Sequence, residues 1–122
     1  MSTVNLTKDD FESTVTENPI VLVDFWAAWC GPCRQFAPIY ERASDSNPDI
    51  VFGKVDTEAQ QELAAMAQIT SIPTLMAFRD GIAIFRQAGA LPAPVLDDLL
   101  KQIRELDMDE VKKQIAEQEG AQ

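Results

Sequence analysis

Cys30 and Cys33 are the only two cysteines among 122 residues, and Gly31 and Pro32 lie between them. A thiol pair at this spacing has three ordinary uses: half of a zinc site, a structural disulfide, or a dithiol that exchanges electrons. Structural zinc takes four ligands. With no histidine and no further cysteine in the chain, the rest would have to be carboxylates or a second chain's groups, so no metal site is expected. A structural disulfide closing so short a loop constrains the unfolded chain little, and it does not persist in a reducing cytoplasm. Redox use is the strongest of the three. The absence of histidine also removes Cys-His and Ser-His nucleophile pairs and the usual acid/base group near neutral pH.

Asp24 is the second residue with chemical potential. It interrupts Ile20-Val21-Leu22-Val23-Asp24-Phe25-Trp26, a run otherwise apolar on both alternating faces. Burial there would raise its pKa, because the charged form loses its hydration. A raised carboxyl beneath the cysteines could take the proton from Cys33, through water, as that thiol becomes a nucleophile. The plainer reading is an aspartate paired with a basic side chain, for which Lys54 on the neighbouring strand is the obvious partner. The two readings are compatible, and on the residues alone they stand level.

These side chains need elements to hold them. Residues 20–26 read as a strand in the middle of a sheet covered on both faces. After Cys33, Phe36, Ile39, Tyr40 and Ala43 recur at helical spacing, with Pro38 in the interior and an exit loop from Ser44 to Pro48. The cysteines therefore lie at a strand-to-helix junction. Cys30 at the helix N-terminus meets unpaired amide N–H groups and the positive dipole end, which favour thiolate over thiol. Pro32 suits the first turn, Gly31 allows close approach of another backbone, and Arg34 adds a minor positive field. An exposed Cys30 is the expected attacking sulfur.

The remaining elements follow from pattern. Thr7 reads as the N-cap of a helix carrying Phe11, Thr14 and Val15, stopped at Asn18-Pro19. Residues 50–56 read as a second buried strand, and Thr57 to Gln60 as a capping box opening a helix through Leu63, Ala64 and Ala67. Thr74 to Phe78 and Ile82 to Ala88 read as strands joined at Asp80-Gly81, a tight hairpin signal. Pro92 and Pro94 open a last amphipathic helix through Leu106. In the acidic tail, Asp107 and Glu110 could cap a short new helix, or the previous helix could continue.

The segment Asp24-Phe25-Trp26-Ala27-Ala28-Trp29-Cys30-Gly31-Pro32-Cys33-Arg34 resembles the active site of thioredoxins. The likeness continues in Lys54-Val55-Asp56, Ser71-Ile72-Pro73-Thr74, Arg79-Asp80-Gly81 and Gly89-Ala90, covering roughly the first 106 residues. It implies an α/β fold: a central mixed five-stranded sheet, three strands parallel plus a C-terminal antiparallel hairpin, flanked by four helices. Residues 1–106 would be that domain, and 107–122 an acidic helical extension. The Gly-Pro pair resembles the reducing members of the family.

The resemblance also implies a mechanism. Cys30 attacks a disulfide on a partner protein, and Cys33 then attacks Cys30 to release the reduced partner. Asp24 is catalytic, with Gly31, Pro32, Lys54 and Pro73 supporting. Unaided, Pro73 reads as a trans strand-start proline, since only ~5–6% of X-Pro bonds are cis; the likeness reverses that and places a cis Ile72-Pro73 opposite the dithiol. Trp29, Gly31, Pro32, Ile72, Pro73, Gly89 and Ala90 would form an apolar rim for peptide substrates. For Trp26, core packing is the expectation. No bound cofactor is implied; electrons would come from NADPH through thioredoxin reductase.

Charge narrows the partners. Twenty acidic against ten basic residues give −10, which repels nucleic acid and anionic lipid. The longest apolar run, Ile20 to Trp29, contains Asp24 and falls short of the ~20 residues that cross a bilayer. No basic stretch followed by an apolar run marks Met1 to Asp10, so the expected place is the cytoplasm and the expected form a monomer. The competing function is a peptide-binding or holdase module that uses the same rim with little turnover.

Overall fold

The computed structural model describes residues 2–120. In chain order the elements are β1 (Thr3–Asn5), α1 (Phe11–Glu17), β2 (Ile20–Trp26), α2 (Gly31–Ser46), β3 (Val51–Asp56), α3 (Gln61–Met66), β4 (Thr74–Arg79), β5 (Ile82–Ala88), α4 (Ala93–Glu105) and α5 (Met108–Gly120). One sheet has the strand order β1-β3-β2-β4-β5. β1, β3 and β2 run parallel, and β4 and β5 return antiparallel. This is the architecture that the resemblance implies.

β2 sits at the centre because both of its faces are apolar. Leu22 packs with Phe36, Tyr40, Leu75, Ala77, Leu96 and Leu100 on one face. Val21, Val23 and Phe25 pack with Val55, Leu63 and Phe78 on the other. Each large side chain removed from water there contributes about 1.5–3 kcal/mol, so the strand is held from both sides. β3 lies close because Gly53 has no side chain: a Cβ there would fall 2.5 Å from Leu6 Cδ1. Tyr40 donates from its hydroxyl to the Gly53 carbonyl at 2.8 Å, tying α2 to that strand.

Local signals were met with shifts. Asp80 (φ 53°) and Gly81 (φ 79°) both adopt the left-handed conformation that a two-residue hairpin turn requires. The first helix starts at Phe11, a turn later than a Thr7 cap predicts. Asp10 Oδ1 accepts the Thr7 N–H at 2.7 Å and also the Thr7 hydroxyl, the acid-to-backbone half of the expected cap, while residues 8–10 form a turn ahead of the regular helix. The Thr57–Gln60 capping box does not form. Thr57 is drawn to Trp26, whose carbonyl accepts both its N–H and its hydroxyl, and Asp56 Oδ1 instead accepts the N–H of Glu58 at 2.9 Å. Ser44 is helical rather than part of the exit loop, its hydroxyl donating back to the Glu41 carbonyl.

The tail forms a separate helix. Leu106 is extended (φ −61°, ψ 134°), and Asp107 Oδ1 accepts the Glu110 N–H at 3.2 Å. The break is reinforced from β4: the Arg79 guanidinium donates to the carbonyls of Ile103, at 2.7 Å, and Leu106. A cation at a helix C-terminus is favourable against the dipole as well as satisfying those carbonyls.

Candidate active site

The dithiol is built by the way β2 hands over to α2. Past Trp26 the chain turns, with Cys30 N–H donating to the Ala27 carbonyl at 3.2 Å. Cys30 then serves as the N-cap of α2, extended at φ −87° and ψ 114°, with Gly31 and Pro32 in the first turn. Pro32 lacks an N–H at a position where none is needed. Cys33 donates its backbone N–H to Cys30 Sγ at 3.2 Å, the hydrogen bond that an N-cap side chain ordinarily accepts. Cys30 and Cys33 are joined as a disulfide with their Cα atoms 5.2 Å apart.

The sulfurs are less open than expected. Cys30 is 5% exposed and Cys33 3%, because Ala27, Trp26 and Ile72 pack around the pair. The Ile72 carbonyl oxygen lies 3.6 Å from Cys30 Sγ. The Ile72–Pro73 peptide is cis, and the Pro73 carbonyl accepts the Gly89 N–H at 2.8 Å. The loop carrying Ile72 is thus brought against Cys30, and the loop at Gly89 against Pro73.

Asp24 lies on the α2 side of β2 and is 1% exposed. Burial pushes its carboxyl up to about 7, and the field of Lys54 opposes part of that rise. The expected Asp24–Lys54 pair is not formed. The two residues face each other in the β2–β3 register, yet neither carboxylate oxygen has a hydrogen-bond partner among the described residues. The Lys54 ammonium sits over the Trp26 ring instead, 4.9 Å from its centroid. Beneath the disulfide is a cavity of about 80 Å³ lined by Asp24, Trp26, Ala27, Cys33, Arg34, Ala37 and Lys54. That volume, with a carboxylate and an ammonium on its wall, is roomy and polar enough for water.

The residues named for the rim differ in exposure. Trp29 is 67% exposed and is steadied by its indole N–H donating to Glu58 Oε1 at 2.7 Å. Pro32, Gly89 and Ala90 are exposed, and Gly31 and Ile72 half-buried. Pro73 departs from the expectation: it is buried and offers backbone, not surface. Among the described residues nothing approaches Gly31 closely: a Cβ there would meet only Arg34 Nη2 at 3.9 Å. Arg34 turns back to donate to the Ala28 carbonyl at 2.9 Å, bracing the loop before Cys30.

Three side chains escaped the sequence reading. Trp26 lines the Asp24 cavity in addition to packing, and Ala37 lines it one helical turn after Cys33, a placement that helical periodicity could have found. Glu58 lies 29 residues from Trp29, and no local signal links them.

A family model described as Thioredoxin matches residues 2–105. "Putative thioredoxin 2" of Streptomyces coelicolor is 62% identical over 119 residues, covering 98% of this chain and 89% of that protein. A thioredoxin of Staphylococcus epidermidis is 39% identical over 103 residues, covering 82% of this chain and 96% of its own. Among solved structures, Plasmodium falciparum thioredoxin is similar at a TM-score of 0.75 and 34% identity, covering 82% of this chain and 97% of that one. A thioredoxin mutant from Halobacterium salinarum reaches 0.78 at 30% identity, covering 85% and 91%.

Proposed function

The chain belongs to the thioredoxin family, and from that premise we propose how its residues divide the work of a thiol-disulfide oxidoreductase. The observation that carries the reading is the Cys30–Cys33 disulfide at the N-terminus of α2, directly above the Asp24 cavity. In the reduced protein, Cys30 thiolate attacks one sulfur of a partner's disulfide, and the partner's other sulfur leaves as thiolate and takes a proton from solvent. A mixed disulfide now joins Cys30 to the partner. Cys33 gives its proton to the Asp24 carboxylate through water in the cavity and attacks Cys30 Sγ. The partner's remaining sulfur leaves as thiolate. Two electrons have passed to the partner, and Cys30–Cys33 is a disulfide again.

Gly31 and Pro32 shape the loop that presents Cys30, and Lys54 keeps the Asp24 ionisation within reach of neutral pH. Trp29, Ile72, Gly89 and Ala90 form the docking rim, with the Ile72 backbone and Pro73 aligning an extended substrate segment beside Cys30. Disulfide-containing proteins are the substrate class of the family. We assign the returning electrons to NADPH delivered by a thioredoxin reductase; the chemistry needs no group bound to this chain. Among the described residues no cluster of His, Cys, Asp or Glu is placed to hold a metal, and no helix is long and apolar enough to cross a membrane. We read residues 1–106 as the redox domain of a cytoplasmic monomer and 107–122 as an accessory helix.

Insulin-disulfide reduction by dithiothreitol tests this. Wild type should accelerate it and Cys30→Ser should abolish the acceleration. If wild type is no faster than dithiothreitol alone while still suppressing aggregation, the binding-module reading replaces this one.

A further inference from the structure

Arg86, on β5, takes no part in the mechanism above, yet it holds the start of the loop that ends at Ile72–Pro73. Helix α3 closes in a Schellman arrangement: Ile69 N–H donates to the Ala64 carbonyl and Gln68 N–H to Ala65, both at 3.0 Å, with Gln68 left-handed at φ 57°. This leaves the carbonyls of Ala67 and Gln68 facing out of the helix end. The helix carries no basic residue in its last turn. The Arg86 guanidinium supplies the missing cation from another strand, donating to the Ala67 carbonyl at 2.6 Å and to the Gln68 carbonyl. Its terminal nitrogen also lies 3.9 Å from Met76 Sδ, and Met76 is its register partner on β4. A planar fork matched to two carbonyls is a geometry that lysine cannot reproduce.

The consequence lies further along the chain. From Gln68 the backbone runs through Ile69, Thr70 and Ser71 to Ile72, whose carbonyl is 3.6 Å from Cys30 Sγ. The far end of this loop is held by the Thr74 hydroxyl donating to Ser71 at 2.6 Å and by Gly89 N–H donating to Pro73 at 2.8 Å. The end of β5 and the residue after it therefore clasp the loop at both ends, Arg86 by its side chain and Gly89 by its backbone. Thr70 and Ser71 between them are exposed, so the loop depends on these holds at its two ends.

We propose that Arg86 is a positioning residue for substrate docking: its bidentate hold on Ala67 and Gln68 sets where the Ile72 backbone lies relative to Cys30. The inference rests on the reading that Ile72 pairs with the extended segment of a protein substrate. It makes a distinction between substrate classes. A protein disulfide that needs the Ile72 backbone feels the change, whereas a small aromatic disulfide that reaches Cys30 without docking does not.

The test compares Arg86→Met and Arg86→Lys with wild type and with Pro73→Ala, in insulin reduction and in direct reduction of 5,5′-dithiobis(2-nitrobenzoate). Arg86→Met should raise the insulin KM about fivefold at nearly constant kcat, within the range that residues acting through a packed neighbour reach. Its rate with the small disulfide should stay within about twofold of wild type. Arg86→Lys keeps the charge without the fork and should fall between; if Arg86→Met does not fold, Arg86→Lys carries the comparison. Insulin KM unchanged in the Arg86 variants, with Pro73→Ala raising it, overturns the role of Arg86 and leaves docking intact. A parallel loss of both activities in the Arg86 variants also overturns it, since that marks general damage. Insulin KM unchanged in Pro73→Ala removes the docking reading, and the proposal falls with it.

Discussion

Asp24 and Lys54 face each other across the β2–β3 register, but the ammonium is turned over the Trp26 ring and the carboxylate is left without a hydrogen-bond partner among the described residues. Lys54 therefore acts on Asp24 through its field alone. That field is smaller than the opposing effect of burial, which is why the carboxyl is pushed up to about 7 instead of down.

The first prediction concerns stability. The unfolded chain ionises Asp24 near 3.8 and the folded chain at about 7. Between those values the folded state holds a proton that the unfolded state has released, so stability declines as pH rises through the window and the loss is complete above 7. Asp24→Asn has nothing to ionise. Relative to wild type it should gain about 3 kcal/mol on moving from pH 5 to pH 9, at 1.36 kcal/mol per tenfold change in ionisation. Urea unfolding at the two pH values measures this; an unchanged difference would mean that Asp24 does not titrate there.

The same substitution should damage turnover at one step only. Attack on the partner uses Cys30 and the helix terminus, and is expected to be nearly unaffected. Release of the mixed disulfide needs a proton acceptor for Cys33, and that acceptor works when Asp24 is ionised. In wild type the release rate should therefore rise as pH passes about 7. In Asp24→Asn it should be slower by about 10²-fold at pH 8, the lower end of what a positioned base contributes. Rapid quenching of the mixed disulfide across pH separates the two steps; equal release rates in both proteins would remove Asp24 from the mechanism.

Much of this site is legible in the sequence. A strand apolar on both faces had to be central, its single carboxylate had to be buried, and a C-x-x-C after it had to lie at a helix N-terminus. What could not be read is how side chains distant in sequence choose between partners. Lys54 had two acceptable neighbours, a carboxylate and an indole face, and alternation along a strand does not rank them. Thr57 could have capped α3 and was captured by the Trp26 carbonyl. Glu58 and Arg86 reach across 29 and 18–19 residues, beyond any periodic signal. The cis Ile72–Pro73 bond came from the family likeness and not from pattern.

Arg79 offers a test of the helix break. Its guanidinium satisfies carbonyls of Ile103 and Leu106 where α4 ends, and its charge opposes the negative end of the dipole. Arg79→Met keeps an apolar stem and removes both hydrogen bonds, which come from Nη1. The expected cost is about 2 kcal/mol, the size of hydrogen bonds from a charged donor at a partly buried site. Insulin reduction at a temperature where the variant is fully folded should be unchanged. A loss below 0.5 kcal/mol, the low end for a single hydrogen bond, would show that water replaces the guanidinium at no penalty.

The last prediction separates α5 from the chemistry. Met108 is buried, and Val111 and Ile115 are half-buried beside Ile82, Ala83 and Ile84 at the hairpin end of β5. Gly89, which contacts Pro73, follows the opposite end of that strand. The Lys112–Asp80 pair, at 3.7 Å and well solvated on both sides, adds little. A chain ending at Leu106 loses chiefly the burial of Met108 and of what it covers, about 2–3 kcal/mol. Its insulin-reduction rate should stay within about twofold of the full chain, because no residue of α5 lines the Asp24 cavity or the rim. If the shortened protein folds with full stability but no longer turns over insulin, the helix belongs to the catalytic unit and the boundary at 106 is misplaced.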